Sequence, residues 1–241
     1  MATSCLATVH AEIAAVPQNE AGYVLTPLNI WIAAALTLGP IPLGLIGGIK
    51  GLALAISLYS RSPPAAALAG LIGIGCGFAS LVVLVSFQHA LASRFLRWRA
   101  NRAFTGRLEP LVWPDDPDAE FVDFLPRSHW GYKMLEPAID IGFFKIEHRR
   151  RELLFEGDLK RYRIPFESVT ACQVEDFTVG REQWEVERRS VTVLTFGTST
   201  GPREVPLVCR QLDFTPRGAA ERRAQADDLC NRILTALNGH V

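Results

Sequence analysis

Residues 62 to 93 contain no Asp, Glu, Lys or Arg. Their core, AAALAGLIGIGCGFASLVVLVSFQHALA from Ala65 to Ala92, exceeds the roughly 20 apolar residues a helix needs to cross a bilayer. Only a structure that satisfies its backbone polar groups internally can occupy lipid, so this run predicts a transmembrane helix at about 65–92. The whole-chain averages conceal it. Net charge is zero and 49% of residues are hydrophobic, values that suit an ordinary globular protein. Yet residues 1 to 93 hold only Glu12, Glu20, Lys50 and Arg61, and the remaining 148 residues carry the other charges.

Residues 21 to 49 are also uncharged, and LNIWIAAALTLGPIPLGLIGGI from Leu28 to Ile49 is long enough for a second span, with Trp31 at an interfacial position. Pro40 and Pro42 would kink such a helix, which membrane helices tolerate where neighbours satisfy the freed carbonyls. A rival register, 40–60, puts Lys50 near mid-membrane, where insertion costs about 2.5 to 3.5 kcal/mol; the register 28–50 is therefore preferred. Residues 1–27 lack a basic leading segment and carry two acids, so they are expected to be a polar tail and not a removable secretory signal.

Small residues recur at spacing four: Gly44 with Gly48, Gly47 with Gly51, Gly73 with Gly77. The spacing exposes backbone along one helix face and lets two helices approach closely, within a hairpin or between two copies in a homodimer. The rival explanation is that glycine is common in membrane helices. Gly73, Gly75 and Gly77 do not form a nucleotide loop, having neither the GxGxxG spacing nor a preceding strand.

After the second span come Arg94, Arg97, Arg99, Arg102 and Arg107, with no acid before Glu109. The positive-inside rule assigns this side, and with two spans both termini, to the cytoplasm, which gives an integral protein of the plasma or inner membrane. Arg94, Arg97, Arg99 and Arg102 are placed to meet anionic headgroups at the membrane surface, at about 1 kcal/mol each, or serve simply as a stop-transfer flank. Residues 94–137 then form a basic juxtamembrane segment and an acidic, proline-rich connector, with one short strand expected in AEFVDFL.

The sheet is expected from residue 138 onward. IGFFKIE, ELLFE and LKRYRI read as strands joined by the polar turn HRRR and by Gly157-Asp158. In the third, Tyr162 and Ile164 fall on one face and Arg161 and Arg163 on the other, the pattern of a half-buried strand. SVTACQVEDF, QWEVERRSVTVLTF and REVPLV follow, the last two joined by GTSTGP. From Gly218 to Gly239, Ala226, Leu229, Cys230, Ile233, Leu234 and Leu237 recur at helical spacing. The expected fold is a membrane protein: an α-helical transmembrane hairpin (28–93) followed by an α+β domain (138–241) of six or seven antiparallel strands with a C-terminal amphipathic helix.

LLFEGDLKRYRIPFESVTACQVED, with Ile164, Pro165, Ser168 and Val169 at an "IP-x-x-S-[IV]" turn, resembles the bacterial pleckstrin-homology-like domains found beside membrane helices. The resemblance implies a partly open β-barrel plugged by the terminal helix and used for binding, not catalysis. The insertion GREQWEVERRS departs from that pattern. The resemblance also marks Lys145, Arg149, Arg150, Arg151, Lys160 and Arg161 as the comparable place for an anionic headgroup, a ligand that arginine's planar fork suits. The bland alternative is a solvated hairpin whose acids, Glu147, Glu152, Glu156 and Asp158, largely neutralise it.

Cys5, Cys76, Cys172, Cys209 and Cys230 are scattered, and no metal-ligand spacing joins them to a histidine; neither a metal nor a cofactor is expected. The nearly neutral domain carries no nucleic-acid motif. The expected function is a non-catalytic, membrane-anchored module whose cytoplasmic domain binds a protein partner or anionic headgroups. The alternative is a small membrane-embedded enzyme or transport accessory using His89, His129 or Asp123.

Overall fold

A computed structural model describes residues 9–38, 40–59, 62–130, 138–179, 187–210, 212–213 and 218–239. The chain divides into two units. A helical unit contains Pro27–Leu96 together with Leu212 and Asp213; a sheet unit contains the described residues before Pro27, those from Arg97 to Arg210, and those after Arg217.

In the helical unit, α1 is Pro27–Leu38, α2 is Pro40–Tyr59 and α3 is Pro63–Thr105, whose residues from Arg97 belong to the sheet unit. The span expected over 28–50 thus falls on α1 and the first half of α2, with residue 39 between them outside the described residues. The second of the two follows the rival register, with Lys50 exposed along it. Among the described residues, one stretch, Pro63–Ser80, is long and apolar enough to cross a membrane; Pro27–Thr37 and Gly44–Tyr59 are shorter apolar helices.

α2 and α3 run antiparallel with bare backbone between them. A methyl added at Gly51 would overlap the backbone of Gly73, one at Gly44 would come within 2.6 Å of Ser80 Cβ, and Gly48 and Gly77 face the carbonyls of Gly73 and Gly44. The small residues at spacing four therefore meet one another within this chain.

The sheet unit has eight strands: β1 (Glu12–Ala15), β2 (Glu120–Phe124), β3 (Asp140–Glu147), β4 (Glu152–Gly157), β5 (Lys160–Pro165), β6 (Val169–Val179), β7 (Glu187–Thr198) and β8 (Gly201–Cys209). All neighbours are antiparallel, in the order β1-β5-β4-β3-β2-β8-β7-β6. Two meanders, β3-β4-β5 and β6-β7-β8, are joined through β2. The sheet therefore does not begin at residue 138. AEFVDFL supplies a central strand, because Val122 and Phe124 alternate inward with Asp123 between them. The expected polar tail supplies an edge strand, and Val16 and Val24 beside it are buried.

The core draws on both meanders: Phe124, Phe155, Tyr162, Ile164, Leu194 and Phe196 share one cluster with Leu229 and Ile233 of α4 (Ala219–Leu237), which packs on β6, β7 and β8. On α4 the buried stripe is Ala226, Leu229, Cys230, Ile233 and Ala236, with Leu234 turned outward. At the Pro165 turn the Ser168 hydroxyl donates to the Pro165 carbonyl at 2.7 Å, so this serine closes the turn that leads into β6. The insertion at Gly180 falls for the most part outside the described residues.

Candidate functional site

The turn between β4 and β5 is organised by two buried carboxylates. Asp140 Oδ1 accepts the N–H groups of Ile141 and Leu159, and Oδ2 that of Lys160, all at 2.9 to 3.0 Å. Burial raises its pKa to about 6 against the opposing pull of these donors. The carboxylate reaches the turn because Gly142 and Gly157 sit opposite each other, where a side chain on either would overlap backbone. Asp158 accepts from the N–H groups of Tyr23, Val24 and Leu25 and so ties the segment after β1 to the same turn.

Lys160, which leaves that turn, also lines a cavity of about 390 Å³. Its floor is Tyr162, whose ring meets Phe124, Phe155 and Phe196 in edge contacts at 5.6 to 6.5 Å. Burial and then the nearby Asp140 charge push the Tyr162 phenol up to about 12, so it is a neutral hydrogen-bond donor at ordinary pH. Ala11 and Ile13 form the wall contributed by the N-terminal segment. Lys160, at the start of β5, and Arg203, on β8, stand on the rim with the hydroxyls of Thr198, Ser199 and Thr200 from the β7–β8 turn. That turn is fixed by the Thr198 hydroxyl donating to the Gly201 carbonyl at 2.7 Å. The one lining carboxylate, Glu204, is taken by Arg127 at 2.7 Å.

The six basic residues marked from sequence do not assemble into one site. Lys145 lies along β3, bonded to Asp116 at 2.7 Å and near Glu147. Arg149 and Arg150 are exposed in the β3–β4 turn; Arg151 has φ +55°, pairs with Glu167 and lies over the Phe166 ring, the contacts of a turn residue. Lys160 is five residues along β5 from the level of that turn, on the order of 16 Å away. Lys160 reaches the cavity, whereas Arg161 is held by Glu156 at 2.8 Å and Glu20 at 3.3 Å. Arg203, Tyr162 and the β7–β8 hydroxyls escaped the sequence reading because they are brought to Lys160 by pairing distant strands. Their visible signals were the inward phase of Tyr162 and the polar turn GTSTGP.

Among the membrane-surface arginines, Arg94 donates to the Leu212 carbonyl at 2.6 Å, Arg99 to that of Tyr23 at 3.4 Å, and Arg99 and Arg102 lie beside the Trp98 ring. Arg97 is partly exposed on α3. Arg107, the last of that run, is not at any surface. The residue is 3% exposed; its guanidinium is ion-paired with the fully buried Glu156 and donates to the carbonyls of Gly157 at 2.8 Å and Glu20 at 3.1 Å. Glu156 also accepts from the Leu111 N–H at 2.8 Å.

Of the alternative catalytic set, Asp123 is ion-paired with Arg210, His129 closes a short turn after Pro126, and the side chain of His89 lies outside the described residues. Cys76, Cys172, Cys209 and Cys230 are free thiols, the Sγ atoms of Cys172 and Cys230 lying 3.2 Å apart; Cys5 lies outside the described residues.

No family model, curated protein or solved structure matches this chain.

Proposed function

We propose that this protein is a non-catalytic binding module anchored in a membrane, with the α2–α3 hairpin as its anchor and the sheet unit as its binding domain. The observation that carries the reading is the surface of α3. Only 17% of the apolar stretch Pro63–Ser80 is buried, and Leu68, Leu71, Ile72, Ile74 and Phe78 are all exposed. A core helix of a water-soluble domain hides such side chains; exposed over about three turns, they need lipid or a large apolar partner. On α2, Leu45, Ile46, Ile49, Leu52 and Ile56 are exposed in the same way.

The binding-domain half of the reading is supported by topology: two antiparallel meanders around one core, closed by a C-terminal helix, as expected of a pleckstrin-homology-like domain. Its ligand is a partner protein or an anionic headgroup. The arginines after the hairpin assign the sheet unit to the cytoplasm. Fusing a fluorescent protein that matures only in the cytoplasm to either end of the full chain tests this, with fluorescence expected from both fusions. A dark C-terminal fusion, present in full amount, would reverse the orientation.

A further inference from the structure

We propose that the cavity at the end of β5 is a binding site for a phosphate-bearing ligand, held by Lys160 and Arg203. The proposal rests on the reading of the sheet unit as a binding domain and names what it binds. Neither cation has an acidic partner among the described residues, in a unit where Arg107, Arg127, Lys145, Arg161, Arg210 and Arg223 are all committed to carboxylates. The two come from strands at different places in the sheet order and meet on one rim. Two donors of this kind, one a planar fork and one a point charge, match a phosphate's several acceptor oxygens.

The rest of the lining fits the same ligand. Ser199 adds a hydroxyl to the same lining, the Thr198 proton being held by the Gly201 carbonyl, and the neutral Tyr162 phenol is one more donor in that lining. Two acids are close by, and both are already engaged. Glu204 is paired with Arg127, while Asp140 lies behind the turn and accepts three backbone N–H groups. The apolar wall from Ala11, Ile13 and Val205 would take the non-phosphate part of the ligand. A phosphorylated lipid headgroup and a free small phosphomonoester share this chemistry.

The test uses the full chain in neutral maltoside micelles. Glycerol phosphate is titrated in one arm, followed by phosphorus NMR; in the other, phosphatidylglycerol is compared with phosphatidylcholine as a micelle additive. Saturable binding is expected in at least one arm, weakened about tenfold or more by K160Q/R203Q, unchanged by R149Q/R150Q at the far turn, and retained by K160R/R203K. The arm that responds identifies the source of the phosphate. No saturable binding in either arm, equal loss in both glutamine pairs, or loss in the charge-keeping pair would each overturn the site. The anchor stands or falls separately: a chain that needs detergent yet ignores both probes refutes only the cavity, and a chain soluble without detergent that binds glycerol phosphate refutes only the anchor.

Discussion

Arg107 and Glu156 bury a full charge pair in the sheet unit and then surround it: Arg161, the Leu111 N–H and two carbonyls add to the bonding, with the Arg107 Nε left as a buried N–H without a partner among the described residues. Removing one member of such a pair strands the other in a dry setting, which costs far more than the pair itself gains. Arg107→Leu is expected to lower stability by about 3 to 5 kcal/mol. Arg161→Leu, at a half-buried position with Arg107 left in place, should cost about 1 kcal/mol, and denaturant melts of the detergent-solubilised chain would separate the two. Asp140 sets a pH dependence. Its carboxyl holds a proton up to about pH 6 in the folded state, against 3.8 as the ordinary value, so the native chain binds more protons than the unfolded one in that window. Stability should therefore fall by about 3 kcal/mol as pH rises from about 4 to about 6. In Asp140→Asn that slope should disappear from melting curves taken across the window, whereas an unchanged slope would mean that Asp140 is not its source. None of this was legible in the sequence. Arg107 looked like the last of five flanking arginines and Glu156 like a neutralising surface acid, because burial of a charge is decided by strands and turns far away in the chain.

At the scale of elements, the sequence shows clearest where one periodicity governs a whole segment. The alternation in LKRYRI and the three-and-four spacing in α4 correspond to β5 and to the helix that closes the core. β1 was not seen for a physical reason, having four exposed residues on an edge; the strand expected in AEFVDFL is β2, and what its five residues of alternation did not reveal was its place inside the sheet. The α2–α3 contact offers a test at this scale. Gly51→Leu must push the two backbones apart, since even a methyl there would overlap Gly73. We expect a lower melting temperature and faster proteolysis between the helices, with Gly75→Leu, which has open space around its Cα, as the harmless counterpart.

For the whole molecule, one chain combines a sheet unit dense in ion pairs with a helical unit whose large side chains are turned outward. Zero net charge and a balanced composition hide that division, and the charge-free run from residue 62 to residue 93 reveals it. The candidate site was legible only through Lys160, since sequence places basic residues on strands but not which strands share a rim. The most direct measurement is alkaline carbonate extraction of membranes from cells expressing the full chain, beside a variant with Leu71, Ile72 and Ile74 changed to Ser. The account expects the native chain to stay in the pellet until detergent is added and the variant to be depleted from it. Release of the native chain into the carbonate supernatant, folded and without detergent, would contradict the membrane anchor.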